Sequence, residues 1–300
     1  MKKSLTWIGS GLGLLGLAFV ALKLVEYAEQ IDLGKYSPTT WSAIATLSLI
    51  YGFASICMAF AWRHVLRFLN LHVNLRWAVA VYGTSQLAKY VPSNIFQFAG
   101  RQVLGTAAGL PTWPLLKSVF WELASLASAG ALLGALALPA LIAEISIWMA
   151  VALYGVAAAV AFLFIRNLFG KSLALAWLWH SAFLLVAGCS FVVVLRLVTG
   201  TWLGEISLII CGAYLVAWLA GLVTPGAPAG VGVREIVLYA LLHTMVDQAD
   251  LITAIVLGRI VTVCGDVVFY LIATGIQPGK AMASAEAQHG MTTPPGIKRD

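Results

Sequence analysis

Seven ionisable side chains lie inside strongly apolar stretches of this sequence. They are Lys89, Arg101, Glu122, Arg234, Glu235, Arg259 and Asp266. A charge at the centre of a bilayer costs about 2.5–3.5 kcal/mol even on insertion-based scales, so these groups must face one another or a polar cavity. Four cations against three acids leave one positive charge in excess. Such a cavity is suited to an anion, and we expect the guanidinium groups of Arg101 and Arg234 to bind a phosphate.

Two of these charges follow a break in an apolar stretch, TPGAPAGVGVRE at residues 224–235. Proline interrupts the hydrogen bonds of a helix, and glycine lets the backbone come close to a polar group. The residues that should form this break are Pro225, Gly226, Pro228, Gly230 and Gly232. A helix that begins near Gly230 would direct the positive end of its dipole into the break, which favours an anion there.

A second break, VPSNIFQFAGR at residues 91–101, contains Pro92 and Gly100. Its proline precedes Arg101 by nine positions, and Pro225 precedes Arg234 by the same interval. Paired Pro/Gly-interrupted segments in the two halves of a membrane protein indicate the binding site of a transporter. We therefore expect the two breaks to be equivalent elements of an inverted repeat.

Composition identifies the solvent in which these elements fold. Hydrophobic residues make up 61% of the 300 residues and charged residues 10%, which excludes an ordinary soluble domain. Apolar runs long enough to cross a bilayer lie at about 5–27, 41–62, 118–138, 145–165, 173–195 and 251–275. The regions 75–110 and 206–244 are apolar but interrupted.

We therefore predict an all-α polytopic integral membrane protein with about six full transmembrane helices and two Pro/Gly-broken re-entrant hairpins, roughly eight segments in all. One transmembrane domain would cover residues 1–276, with halves at about 41–138 and 173–275. The first run should be an uncleaved span, because no small-residue cleavage site follows it. Residues 277–300 are predicted to be a disordered cytoplasmic tail. Whether the broken segments are re-entrant or short full spans stays open at this stage.

The distribution of basic residues favours hairpins that return to the face from which they enter. With a cytoplasmic N-terminus, that threading places eleven of the eighteen basic residues inside and only Lys23, Lys35 and Arg196 outside. A single kinked crossing in each interrupted region would reduce this bias to eight against six. The positive-inside rule thus predicts a multi-pass protein of the cell inner (plasma) membrane with both termini in the cytoplasm.

No metal site, cofactor or catalytic group is expected. The histidines lack metal-ligand spacing, and the four cysteines lie in apolar runs, where they serve as packing residues. An intramembrane enzyme would need Glu122, Glu235 or Asp266 as acid–base groups, and the sequence shows no nucleophile–base pair to accompany them. We therefore expect a protein that is not an enzyme.

The segment PGAPAGVGVRE, followed by an apolar helix and by IVLGRIVTV on the next span, resembles the flippase-like transmembrane family named after the lysylphosphatidylglycerol synthetases. The resemblance covers roughly residues 5–275. It implies a lipid translocator with two facing re-entrant hairpins, with Arg234, Glu235 and Arg259 in its second-half motif. The first-half motif departs from the family pattern, because no acidic residue precedes Arg101 and Leu123 follows Glu122 where an acid–Arg pair is typical. Aminoacyl transfer is not implied, since that reaction requires a soluble catalytic domain.

The resulting functional hypothesis is a flippase for an anionic lipid or a polyprenyl-phosphate-linked lipid, whose partners are membrane lipids rather than nucleic acid. The alternative is a non-catalytic membrane partner of a lipid-modifying or glycan-assembly enzyme. Each single charge could also be structural, for instance Arg259 paired with a carboxylate on a neighbouring helix. Headgroup, transport direction, energy source and oligomeric state are not determined by the sequence.

Overall fold

The structure, a computed structural model, describes residues 36–91, 95–142, 144–224 and 230–276, together with Val25 and Gly34. Within these ranges every regular element is helical. The helices are α1 (Pro38–Ala54), α2 (Ile56–Phe68), α3 (Leu75–Gln86), α4 (Phe96–Ala107), α5 (Thr112–Gly134), α6 (Leu138–Leu141), α7 (Ile147–Phe169), α8 (Lys171–Thr199), α9 (Ile206–Val223), α10 (Val233–Leu242) and α11 (Gln248–Thr274). Short 3-10 turns, Leu87–Tyr90 and Ala135–Ala137, extend α3 and α5.

Six helical segments in the described chain are long and apolar enough to cross a membrane. They are Pro38–Phe68, Thr112–Leu141, Ile147–Phe169, Lys171–Thr199, Ile206–Val223 and Gln248–Thr274. This confirms a helical, membrane-embedded protein. The set differs from the expected one in two places. The predicted span at residues 5–27 lies, apart from Val25, outside the described residues. In the interrupted region 206–244, α9 is long enough by itself to cross a membrane.

The two interrupted regions differ in the length of their helices. In the first region, α3 has 12 residues and its 3-10 extension has 4, about 26 Å together, and α4 has 12 residues, about 18 Å. Both are shorter than a hydrocarbon core of about 30 Å. In the second region, α9 has 18 residues and α10 has 10. The sequence treated both regions as one type of broken segment, whereas the second combines one long helix with one short helix.

Local sequence explains where several helices begin. Ser37, Asn74, Ser146 and Asp247 are N-caps whose side chains accept hydrogen bonds from backbone N–H groups in the first turn. The Asn74 cap is the tightest, since its Oδ1 accepts from the Trp77 amide at 2.7 Å. These caps satisfy backbone donors that a helix cannot pair internally. Asn74 and Asp247 fix the starts of α3 and α11. These two helices carry the buried polar residues Gln86, Arg259 and Asp266.

The packing of the helices has the same pattern in two parts of the chain. In the first part α2 contacts α3, α3 contacts α4, and α4 contacts α5. In the second part α8 contacts α9, α9 contacts α10, and α10 contacts α11 in the same order. Across the two parts α3 packs on α11 and α9 packs on α5, while α2 packs on α8. Helices from both parts thus surround a shared centre.

Small residues bring α1 and α11 into close contact beside this centre. A Cβ atom added at Gly265 would lie 2.7 Å from Tyr51 Cδ1 and 2.9 Å from the Ser48 carbonyl oxygen. Gly52 faces the same contact, and its added Cβ would lie 2.8 Å from the Gly265 carbonyl oxygen. Without a hydrophobic driving force between helices in lipid, such small residues allow close packing. The contact holds Asp266, the next residue on α11, in a fully buried position.

Candidate functional site

A polar cavity of about 50 Å³ lies where α1, α3, α5, α9 and α10 meet. Its wall includes three of the seven ionisable residues and several aromatic side chains. The residues that define its chemistry are Lys89, Glu122, Arg234, Tyr51, Tyr82 and Trp218. A polar cavity of this size has room for about three to five water molecules. Charged groups from both parts of the chain therefore line one cavity.

Arg101 and Glu122 form a closed ion pair at one side of this cavity. Arg101 Nη1 lies 2.9 and 2.8 Å from the two carboxylate oxygens of Glu122, and the two residues are 3% and 1% exposed. Tyr82 donates from its hydroxyl to Glu122 Oε1 at 2.8 Å. The Arg101 guanidinium carbon also lies over the rings of Tyr82 (4.3 Å), Phe98 (5.0 Å) and Trp62 (5.6 Å). Arg101 is thus held by a carboxylate and an aromatic cage.

Asp266 is the centre of a second closed network. Its Oδ2 accepts from Lys89 Nζ at 2.7 Å and from the Tyr90 hydroxyl at 2.5 Å. Its Oδ1 accepts from Gln86 Nε2 at 3.2 Å. These three donors lie on α3 and the 3-10 turn that follows it, so the network joins the first break to α11. The carboxylate of Asp266 is thus turned towards α3, and it does not line the cavity that contains Arg234.

Arg259 and Glu235 form the third ion pair, between α11 and α10. Arg259 Nε and Nη2 lie 2.7 and 2.6 Å from Glu235 Oε1, and Nη2 also donates to the Gly230 carbonyl at 3.1 Å. Arg259 thus pairs with a carboxylate on a neighbouring helix, which is the structural alternative named for it in the sequence analysis. Glu235 stands in the first turn of α10, where its negative charge already offsets the positive end of the helix dipole.

Arg234 differs from the other three cations. Among the described residues no carboxylate lies within ion-pair distance of it, and its buried Nε has no hydrogen-bond partner. Its guanidinium carbon lies 5.4 Å from the centre of the Trp218 ring, a cation–π contact. Arg234 lines the central cavity and also a smaller one of about 20 Å³ that includes Tyr214, Glu235 and Arg259. The excess positive charge counted in the sequence therefore resides on Arg234.

Glycine geometry positions Arg234 against α9. Gly230 and Gly232 have φ angles of 72° and 86°, in the left-handed region that favours glycine. A Cβ atom added at Gly221 on α9 would lie 2.7 Å from Arg234 Nε and 3.0 Å from the Gly230 Cα. Gly100 in the first break likewise packs closely on Ser85 of α3. The predicted break residues Pro92, Pro225, Gly226 and Pro228 lie outside the described residues.

Sequence reasoning missed the neutral members of the site. Tyr82, Gln86 and Tyr90 are spaced four residues apart, which places them on one helical face. That polar stripe in an apolar helix, with Lys89 directly before Tyr90, was the available signal. Trp218 on α9 had no comparable signal, because it lies in an apolar run without polar neighbours. Their role depends on contacts with helices far along the chain, which the stripe alone does not specify.

A serine–histidine contact between α5 and α8 was also missed. Ser125 Oγ lies 2.8 Å from His180 Nδ1, and Ser125 lines an apolar groove of about 280 Å³ between α5, α7 and α8. An activated nucleophile requires a third group that orients the base. In the described part of the chain His180 Nε2 is buried without a hydrogen-bond partner. We therefore interpret this contact as a polar link between helices. The same part of the chain contains no cluster of three or more metal-ligating side chains.

The central arrangement is suited to hold an anion rather than to make or break bonds. Three carboxylates are bound by three cations, so they are not available as general bases without the loss of an ion pair. Arg234 offers an unpaired guanidinium at the wall of this cavity, and a guanidinium is the group best suited to phosphate or carboxylate. A search against models of known protein families and against curated proteins gave no match. The family resemblance inferred from the sequence stays a prediction.

Proposed function

We propose that the protein moves a lipid with an anionic headgroup across the membrane, and that Arg234 holds the headgroup phosphate during transfer. The observation that carries this proposal is the unpaired Arg234 guanidinium at the wall of a polar cavity inside a membrane-embedded helical bundle. An uncompensated charge at this depth is costly, and intramembrane ionisable groups of this kind are typical of substrate pathways. The lipid tails would remain in the bilayer while the phosphate passes the cavity.

The proposed mechanism is alternating access by two inverted halves, each with a re-entrant hairpin. Its support is the packing pattern, in which α2 to α5 make the same succession of contacts as α8 to α11. One ion pair in each part joins the corresponding helices, but the charges are exchanged. In the first part Arg101 on α4 pairs with Glu122 on α5. In the second part Glu235 on α10 pairs with Arg259 on α11. In transporters built from such repeats, one repeat rocks against the other around a fixed site.

Arg101 has a different role in this proposal from the one expected from the sequence. Both Arg101 and Arg234 were expected to bind phosphate, but the Arg101 guanidinium is bound by Glu122 and surrounded by three aromatic rings. We assign it to holding α4 against α5 while the cavity is closed. Arg234 then presents its positive charge to the headgroup. Lys89 also lines the cavity, but its charge is balanced by Asp266.

The first prediction concerns Arg234→Gln. Because the glutamine keeps much of the side-chain volume but loses the charge, we expect transfer of an anionic lipid to fall by about tenfold or more, the ratio that corresponds to about 1.4 kcal/mol. Arg234→Lys should retain part of the rate, since lysine offers charge without bidentate geometry. The measurement is movement of fluorescent phosphatidylglycerol between leaflets in proteoliposomes, with and without a proton gradient.

The matched control is Arg196→Gln, which removes an arginine at the C-terminal end of α8 that lies over Trp202. This variant should transfer lipid at the wild-type rate. A wild-type rate in Arg234→Gln would contradict the proposed role of Arg234. If the wild-type protein moves no anionic lipid but co-purifies with a lipid-modifying or glycan-assembly enzyme, the alternative of a non-catalytic membrane partner is favoured instead.

A further inference from the structure

We infer that the cavity beside Arg234 accepts a headgroup with a single negative charge, a phosphodiester, and selects against phosphomonoesters and diphosphates. This inference rests on the proposed function and specifies its substrate class. It concerns the shared chemistry of phosphodiesters, whether the ester is made with a diacylglycerol or with a polyprenol.

The first argument is the pairing of charges around the cavity. Among the described residues at membrane depth, Lys89, Arg101 and Arg259 are each bound to one carboxylate at 2.6–2.9 Å. Arg234 is left with one positive charge, so one negative charge on a ligand makes the site neutral. A second negative charge would have no unpaired cation in the described part of the site and would remain uncompensated in a medium where that is costly.

The second argument is the position of Glu122. Its carboxylate lines the same cavity as Arg234, and both of its oxygens are already occupied by Arg101 and Tyr82. An additional phosphate oxygen with full charge would face this carboxylate and be repelled by it. The phosphodiester PO₂⁻ group, with its charge directed towards Arg234 and its neutral ester oxygens elsewhere, avoids this conflict.

The third argument is size. The cavity volume of about 50 Å³ has room for about three to five water-sized groups. That is close to the number of non-hydrogen atoms in one phosphate group and well below the number in a diphosphate. A diphosphate would require both a larger space and a second cation. Charge and volume therefore point to the same ligand.

The test compares three lipids that share their tails, in the same proteoliposomes at pH 8. The probes are phosphatidylglycerol (a phosphodiester with one negative charge), phosphatidate (a phosphomonoester, which gains a second negative charge as the pH rises through its second pKa) and phosphatidylcholine (a phosphodiester made net neutral by its choline). We expect phosphatidylglycerol to move about tenfold faster than phosphatidate, or more, a ratio that corresponds to about 1.4 kcal/mol.

Unlabelled polyprenyl phosphosugar, also a phosphodiester, is added as a competitor. Stronger competition than by unlabelled phosphatidylglycerol would identify the polyprenyl source, and weaker competition the glycerolipid source, while either outcome supports the phosphodiester.

Charge variants sharpen the test. Asp266→Asn frees Lys89 and raises the net charge of the site by one, so it should increase the phosphatidate-to-phosphatidylglycerol ratio. Glu235→Gln makes the same change at a carboxylate that is 30% exposed, and it serves if the buried Asp266 variant does not fold. Arg234→Gln should remove the preference for phosphatidylglycerol over phosphatidylcholine, and Arg196→Gln should leave all ratios unchanged.

The outcomes separate this inference from the function on which it rests. If the wild-type protein moves none of the anionic lipids, both proposals are wrong. If it moves phosphatidate as fast as phosphatidylglycerol or faster, lipid transfer stands and the single-charge inference is overturned. If neither Asp266→Asn nor Glu235→Gln, once folded, shifts the ratio, the pairing argument is wrong.

Discussion

At the scale of residues, the interior of the described chain contains three ion pairs whose partners neutralise one another. Replacing a whole buried ion pair by apolar residues is often neutral, whereas removal of one partner leaves a buried charge and is strongly destabilising. The pairs are therefore better understood as specifying which helices meet than as large net sources of stability. Arg101–Glu122 is the clearest case, because both residues are at most 3% exposed.

A stability prediction follows for this pair. Glu122→Gln leaves the buried Arg101 without its counter-charge, and we expect the free energy of unfolding to fall by about 3–5 kcal/mol. The combined variant Arg101→Met with Glu122→Leu removes both charges and should recover most of this loss. Unfolding of purified protein in detergent with increasing denaturant measures both effects.

The control for this prediction is Tyr82→Phe, which removes one hydrogen bond to Glu122 but leaves the ion pair. Its expected cost is about 1–3 kcal/mol, at or below that of Glu122→Gln. If Glu122→Gln were as stable as the wild type, Arg101 would have to find another anionic partner, and the description of a closed pair would be incorrect.

At the scale of elements, the position of Arg234 depends on how closely α10 approaches α9. Glycines at positions 221 and 230 make this approach possible, because each lacks the Cβ atom that would meet the other segment. The guanidinium can then lie against α9 and over Trp218 instead of extending towards α11, where Glu235 has already paired with Arg259. The glycines thus help to keep Arg234 unpaired.

We therefore predict that Gly221→Ala impairs function more than its size suggests. The added methyl group would contact Arg234 Nε at 2.7 Å, so the arginine or the whole of α10 must shift. Overpacking of this kind costs about 1–3 kcal/mol. Lipid transfer should fall together with thermal stability, and both can be measured on one preparation. Gly155→Ala on α7 is the matched control, since a Cβ atom there meets nothing within 4 Å. Equal behaviour of the two variants would argue against the close approach of α9 and α10.

At the scale of the whole molecule, the proposed inverted repeat predicts on which side of the membrane each loop lies. If both interrupted regions return to the face from which they enter, the loop before α3 and the start of α5 are both cytoplasmic. The loop before α9 and the loop after α10 are then both external. This arrangement is what would allow the two groups of helices to open a shared cavity to opposite sides.

Single cysteines introduced at exposed positions test this threading after the four native cysteines are replaced. We expect His72→Cys and Thr112→Cys to react with a membrane-impermeant maleimide only from the cytoplasmic side. Thr201→Cys and Thr244→Cys should react only from the external side. All four positions are exposed in the structure. Reaction of His72→Cys and Thr112→Cys from opposite sides would show a full crossing between them and would exclude the first hairpin.

The sequence by itself determined that the protein folds in a lipid bilayer, that its secondary structure is helical, and that the ionisable residues at membrane depth carry one excess positive charge. An apolar fraction of 61% in long runs requires a lipid environment, and in lipid only elements that pair all their backbone groups internally can span. The helices of the structure follow those runs. The surplus of one positive charge follows from counting four cations and three acids in the apolar stretches, so it does not depend on the three-dimensional structure.

Only the tertiary structure decided which arginine carries that surplus. Arg101 and Arg234 occupy the same position relative to a proline in their breaks, so the sequence favoured both equally. The difference arises from partners: Arg101 meets Glu122, 21 residues later, while the acid beside Arg234 turns to Arg259 on another helix. Lys89 is matched with Asp266, and Gln86 reaches the same carboxylate from 180 residues away. Such pairings depend on where helices cross, and local spacing in a sequence does not encode the crossing of distant helices.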